Sequence, residues 1–157
     1  MTTLWDAPWA VRAGLATAAV ALAVAVVTDL RERRIPNWVT LPSLALVVVL
    51  FGSAGGWPLV QSSFLGALVC ALPLLAAAVP GWIGMGDVKL IAVCGAVAGF
   101  PAAIAVLVLV TVAGGAQAGL QVALARLRGA PRPTHVPYAC SIAVGTFAAF
   151  VLSARIP

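Results

Sequence analysis

Four carboxylic acids occur among 157 residues, and two of them, Asp29 and Asp87, sit where long apolar runs meet turns bearing basic residues, TDLRERRIPN and GMGDVKL. An acidic side chain at the edge of a membrane-like segment is costly to keep, which makes each a candidate for function by default. Two carboxyl groups brought close together cannot both ionise cheaply, so one proton is held more tightly, the other less, and the pair shares a proton near working pH. Such a pair is an acid and a base at once. The ionised member activates water, the protonated member donates to a carbonyl oxygen, and an amide is hydrolysed without a metal or a covalent intermediate. Gly84 and Gly86 fit that chemistry, because glycine lets a substrate backbone or a neighbouring helix approach Asp87 closely. Without it, the same residues are a plain turn, with Asp29 paired to Arg31, Arg33 or Arg34 and Asp87 capping a helix.

Composition defines the elements that must position these side chains. With 63% hydrophobic residues, 8% charged residues and a mean hydropathy of +1.13, the chain has too little polar surface for a soluble globule. The expected fold class is all-α, a polytopic membrane protein built as a bundle of about six transmembrane helices, since each needs roughly 20 apolar residues. Residues 1–157 form a single transmembrane domain, with spans expected at about 9–28, 38–51, 60–79, 88–100, 102–124 and 136–154. GSAGGWP breaks the second span from the third, Pro73 is placed for a kink, and the fourth span is short for crossing roughly 30 Å of hydrocarbon. Trp9, Trp38, Trp57, Trp82 and Tyr138 fall at span ends, as expected of rings anchored at the headgroup level.

Six spans place the loops carrying Arg31, Arg33, Arg34, Lys89, Arg126, Arg128 and Arg132 on one side, against Arg12 and Arg155 on the other. By the positive-inside rule the first side is cytoplasmic and both termini face outward. Spans two and three separate Asp29 from Asp87, an even number, so both lie at the cytoplasmic face and can meet. The net charge of +5 serves this orientation and not nucleic acid, because the basic residues are scattered among short turns. Cys70, Cys94 and Cys140 lie in or beside apolar runs, with no CxxC pair and one histidine, His135, so no metal site and no cofactor are expected. His135, Asp6 and Glu32 read as surface groups. The first apolar run is an anchored helix and not a cleaved signal peptide, because its dense arginines follow it.

DLRERRIPN (Asp29 to Asn37) together with GMGDVKL (Gly84 to Leu90) resembles the paired signature of type IV prepilin peptidases, the GxGD class of membrane aspartic proteases. VPYACSIAVG (Val136 to Gly145) resembles the Pro-Tyr stretch leading into that family's last span, with Cys140 where a proline is common. The resemblance implies an enzyme that removes the short, positively charged leader of prepilin-like proteins at the cytoplasmic face of the inner (plasma) membrane, in pilus biogenesis and protein secretion. Asp29 and Asp87 match the two catalytic aspartates; Lys89 matches the lysine of GxGDxKL, and Arg34, Pro36 and Asn37 match the tail of the first motif in supporting roles. The CxxC-bearing insert of larger, methylating members is missing, and the size resembles the short peptidases of Flp-type, tight-adherence pilus systems and also the archaeal preflagellin peptidases. The implied partners are a prepilin-like substrate and the lipid bilayer, with no nucleic acid; oligomeric state and substrate identity are not legible. The alternative is a small proton- or cation-coupled transporter component using the same aspartates, whose site would lie near the midplane.

Overall fold

The computed structural model describes residues 7–129 and 138–153. Five helices follow one another: α1 (Trp9–Glu32), α2 (Asn37–Ala78), α3 (Met85–Ala98), α4 (Ala103–Leu127) and α5 (Tyr138–Ser153), and no strand occurs among the described residues. In an apolar surrounding every backbone N–H and C=O must be satisfied within the segment, and a helix does this. Three of the five, α1, α2 and α4, are long and apolar enough to cross a membrane.

Where the sequence pattern predicts about six spans, five helices form, and the difference lies in α2. Its 42 residues contain two non-helical positions, Gly55 (φ −144°, ψ 17°) and Gly56 (φ 63°, ψ −152°), the latter in a region that glycine alone occupies readily. The arms on either side, 37–54 and 57–78, meet α3 in opposite order. Asn37 bonds Lys89 near the start of α3, and Val47 and Phe51 share a cluster with Val93, Ala96 and Val97 further along. By contrast, Ser63 Oγ donates to Ala96 O at 2.6 Å and Ser62 Oγ to Phe100 O at 3.1 Å, while Leu74 packs in the cluster of Val88 and Leu90. The chain therefore reverses at the two glycines, within the GSAGGWP segment. Pro42, Pro58 and Pro73 are all accommodated inside α2, and the helical dihedrals are lost at the glycines and not at Pro73.

The helices sort their side chains by size. Ala10, Gly14, Ala18, Ala21 and Ala25 form the buried stripe of α1, whereas Trp9, Val20, Val27 and Leu30 are exposed. Small residues let backbones approach where lipid offers no hydrophobic drive between helices, so van der Waals contact and hydrogen bonds hold the bundle. The closest approach joins the second arm of α2 to α3. A Cβ added at Gly66 would stand 3.0 Å from the Gly99 Cα, and one at Gly95 would stand 2.8 Å from the Cys70 Sγ.

Helix α3 is the exception to the lipid-facing pattern, being buried at Val88 and throughout 90–97, and it touches each of the other four helices. Its 14 residues span only about 21 Å at 1.5 Å per residue. Enclosure on all sides means this short rod need not match the thickness of the hydrocarbon.

Overpacking at a backbone-to-backbone contact costs about 1–3 kcal/mol or more. Gly95→Val is expected to lower the melting temperature of detergent-solubilised protein by several degrees, whereas Gly115→Ala, at a position with open space around it, leaves it unchanged. Equal melting of the two variants would contradict the close α2–α3 packing.

Candidate active site

Helix α1 continues past Thr28 through Asp29 to Glu32, so Asp29 sits in its last turn and not on the following loop. Arg33 ends the helix in the left-handed conformation (φ 53°), with its N–H donating to the Asp29 carbonyl at 3.0 Å. This turns the chain sharply over the start of α3. Ile35 lies on Gly86, where an added Cβ would stand 2.8 Å from the Ile35 Cβ, and Pro36 leads into α2. Asn37 Oδ1 then accepts from Lys89 Nζ at 2.7 Å. The segments DLRERRIPN and GMGDVKL are thus in direct contact at Ile35–Gly86 and at Asn37–Lys89.

Asp87 occupies the first turn of α3, behind Gly84 at the cap, and its N–H donates to the Gly84 carbonyl at 3.1 Å. A Cβ at Gly84 would stand 3.0 Å from the Asp87 Oδ2, so glycine leaves this carboxylate oxygen its room. The other oxygen, Oδ1, is buried and finds no hydrogen-bond partner among the described residues.

Both carboxylates line one cleft of about 240 Å³, together with Arg33, Arg34, Ile35, Gly84 and Gly86. Opposing influences act on Asp87. A helix N-terminus favours an anion by typically 0.3–1 kcal/mol, and the Gly84 N–H also holds the proton affinity down. Burial and then the neighbouring charge of Asp29 outweigh them, pushing the Asp87 pKa from its ordinary 3.8 up to about 7. Asp29 meets a different environment: its Oδ2 accepts the Ala139 N–H of α5 at 3.2 Å. One carboxyl group that keeps its proton to neutrality, beside another held by a backbone donor, has the makings of an acid and a base.

Of the residues singled out by pattern, Asp29, Asp87, Gly84, Gly86 and Arg34 line the cleft. Lys89 and Asn37 are absent from its walls and form the tether behind them, with Pro36 between the tether and Ile35. Three contributors escape the sequence reading: Arg33 and Ile35 as wall, and the Ala139 N–H, a backbone group that no side-chain pattern reports. Tyr138 also differs from expectation. In place of a headgroup anchor it is a half-buried ring lying on Gly114 of α4, within electrostatic reach of Asp87. The signal available for it was the segment Val136 to Gly145. Trp9, Trp38, Trp57 and Trp82 are exposed. His135, Asp6, Arg132 and Arg155 lie outside the described residues, among which no group of three His, Cys, Asp or Glu side chains could hold a metal.

A profile of the type IV leader peptidase family matches residues 16–119, more than half of the chain, and the protein belongs to that family. No curated protein and no solved structure matches the chain. The matched stretch begins inside α1 and ends inside α4, so it contains Asp29 and Asp87 with every cleft-lining residue, while α5 lies beyond it. Family membership makes the chain a peptidase, and with its apolar helices a membrane protein with a prepilin-like substrate.

The Asp87 environment has a consequence for stability. Its folded pKa exceeds the unfolded one, so the folded state binds more protons between about pH 3.8 and about 7, and stability falls as pH rises through that window. Asp87→Asn removes the penalty. The variant is expected to melt several degrees above wild type at pH 8, with the gap closing as pH is lowered towards 4; a gap independent of pH would contradict the buried, proton-holding carboxyl.

Proposed function

We propose that the protein is a membrane-embedded aspartic endopeptidase that removes the short basic leader of type IV prepilin-like substrates, of the Flp type, at the cytoplasmic face. The observation that carries this reading is the shared cleft: two acids 58 positions apart in the chain line one cavity, and the proton affinity of Asp87 is raised there by burial and then by the charge of Asp29. Asp29 is the general base, holding the attacking water. Asp87, protonated up to about pH 7, is the general acid that donates to the scissile carbonyl oxygen. As the tetrahedral intermediate collapses, the proton that Asp29 took from water passes to the departing amine, a hydroxyl of the intermediate returns its proton to Asp87 as the carbonyl re-forms, and the pair is back in its starting state. Lys89 and Asn37 keep the α1–α2 connection seated on α3, so that the acids stay opposed.

The topology follows from the reversal in α2, which gives six rods from five helices, with the crossing part of α3 beginning at Val88. The ends of α1 and α4 and the starts of α2, α3 and α5 then share the side rich in Arg and Lys, which is the cytoplasmic one by the positive-inside rule. Both termini lie outside. The substrate's apolar segment enters laterally from the bilayer, leaving the leader at the headgroup level. A transporter reading would place its acids midway along the spans, whereas Asp29 lies in the last turn of α1 and Asp87 in the first turn of α3.

With a prepilin precursor supplied in membranes, Asp29→Asn and Asp87→Asn are each expected to accumulate normally and to lose about 10²–10⁴-fold in cleavage rate. The kcat/KM of the wild type should decline as pH rises through about 7, where Asp87 gives up its proton. Precursor processing that survives in either variant, read as the shift from precursor to mature size, would refute the reading.

A further inference from the structure

Helix α5 lies beyond the matched region and contributes no side chain to the cleft wall, yet its first turn comes close to the acids. The Ala139 N–H donates to Asp29 Oδ2 across 110 positions of chain. Tyr138, before it, lies within reach of the charge of Asp87, and Cys140, after it, within reach of the charge of Asp29. The first turn of any helix presents N–H groups that no carbonyl of its own helix takes up, and these carry its partial positive charge. Here one of them is spent on Asp29.

A backbone donor has no rotamers, so its position is fixed by where the helix begins. Three contacts with α4 fix that point. The Tyr138 ring lies in the notch left by Gly114, where an added Cβ would stand 2.6 Å from the phenol oxygen. Ser141 Oγ donates to Gln117 Oε1. Gly145 lies against the backbone of Val110 one to two turns further along, where a Cβ would meet its Cα and N. The notch at Gly114 is the contact nearest the acids, and it is filled by the residue directly preceding the donor.

We propose that the first turn of α5 is a positioning element of the peptidase site: the Ala139 N–H holds the Asp29 carboxylate in place for water activation, and Tyr138, seated on Gly114, sets where that N–H stands. This rests on the aspartic peptidase reading above. Neither residue touches the substrate, so their effect belongs in the chemical step and not in substrate binding. Loss of the donor lowers kcat with little change in KM, because the carboxylate that serves as base has lost the hydrogen bond that holds it.

The test uses the full chain in liposomes with a prepilin precursor, measuring kcat and KM separately, with melting in detergent as the check on folding. Ala139→Pro removes the donor, at a first-turn position where proline is tolerated because that N–H has no intrahelical partner, and the Tyr138 variants separate this loss from any shift of the preceding residue. It is expected to lower kcat about tenfold to a hundredfold, the range for losing a hydrogen bond to a charged group. Gly114→Ala, which displaces the ring, and Tyr138→Ala, which removes it, should lower kcat by less, again with little change in KM, and Tyr138→Phe should restore most of the Tyr138→Ala loss. Gly115→Ala, one residue away and open on all sides, is the control expected to match wild type. A folded Ala139→Pro with wild-type kcat overturns the proposal; should that variant fail to fold, the same result in Gly114→Ala overturns it. Asp29→Asn and Asp87→Asn run alongside separate the two ideas: if either still cleaves, the peptidase reading itself falls, whereas inactive aspartate variants beside an unaffected Ala139→Pro sink only the role of α5.

Discussion

Two carboxyl groups confined to one partly buried cleft repel each other, and the repulsion grows as water is excluded. Left to themselves, Asp29 and Asp87 would separate. What holds them is largely backbone and small residues: the left-handed turn at Arg33 that folds the chain back over α3, the contact of Ile35 with Gly86, the Lys89–Asn37 bond, and the α5 N–H on Asp29. Part of the repulsion is relieved chemically, since Asp87 keeps a proton that an ordinary aspartate would lose. Burial and the neighbouring charge make the pair costly to assemble, and the same two influences raise the proton affinity of Asp87.

That arrangement would be of little use on a loose scaffold. Helix α3 carries Asp87 at one end and is enclosed along the rest of its length, with α2 packed against it through Gly66, Gly95 and the serine bonds to Ala96 and Phe100. An enclosed helix with hydrogen-bonded neighbours has few ways to slide or rotate. The precision needed at the carboxylate is thereby supplied by contacts two to three turns away from it.

Much of this was legible in the sequence because the signals were of the kind a sequence carries well. Long apolar runs announced helices, the breaker GSAGGWP marked the place where α2 reverses, and two of the four acids, set where apolar runs meet basic turns, marked the cleft. Glycine was legible as proximity, and Gly84 and Gly86 do sit where a Cβ would intrude. Less legible were features decided by tertiary contact. Nothing local says that α1 carries its helix through Asp29 to Glu32, because the arginines that follow are compatible with either helix or turn. Tyr138 reads as an interfacial ring from its place at a span end, and only the notch at Gly114, 24 positions earlier, draws it inward. The Ala139 donor could not be read at all, since every residue but proline has the same N–H.

Among the described residues, the reversal at Gly55–Gly56 and the four-residue passage from α3 to α4 leave little connecting chain at the end of the bundle remote from the acids. Surfaces that recognise partners are usually built from loops, and these connections offer very few. Variation that retunes this fold for a different client protein would therefore concentrate on the connections around the cleft and on the outward faces of the rods, leaving the far pole under selection for compactness alone.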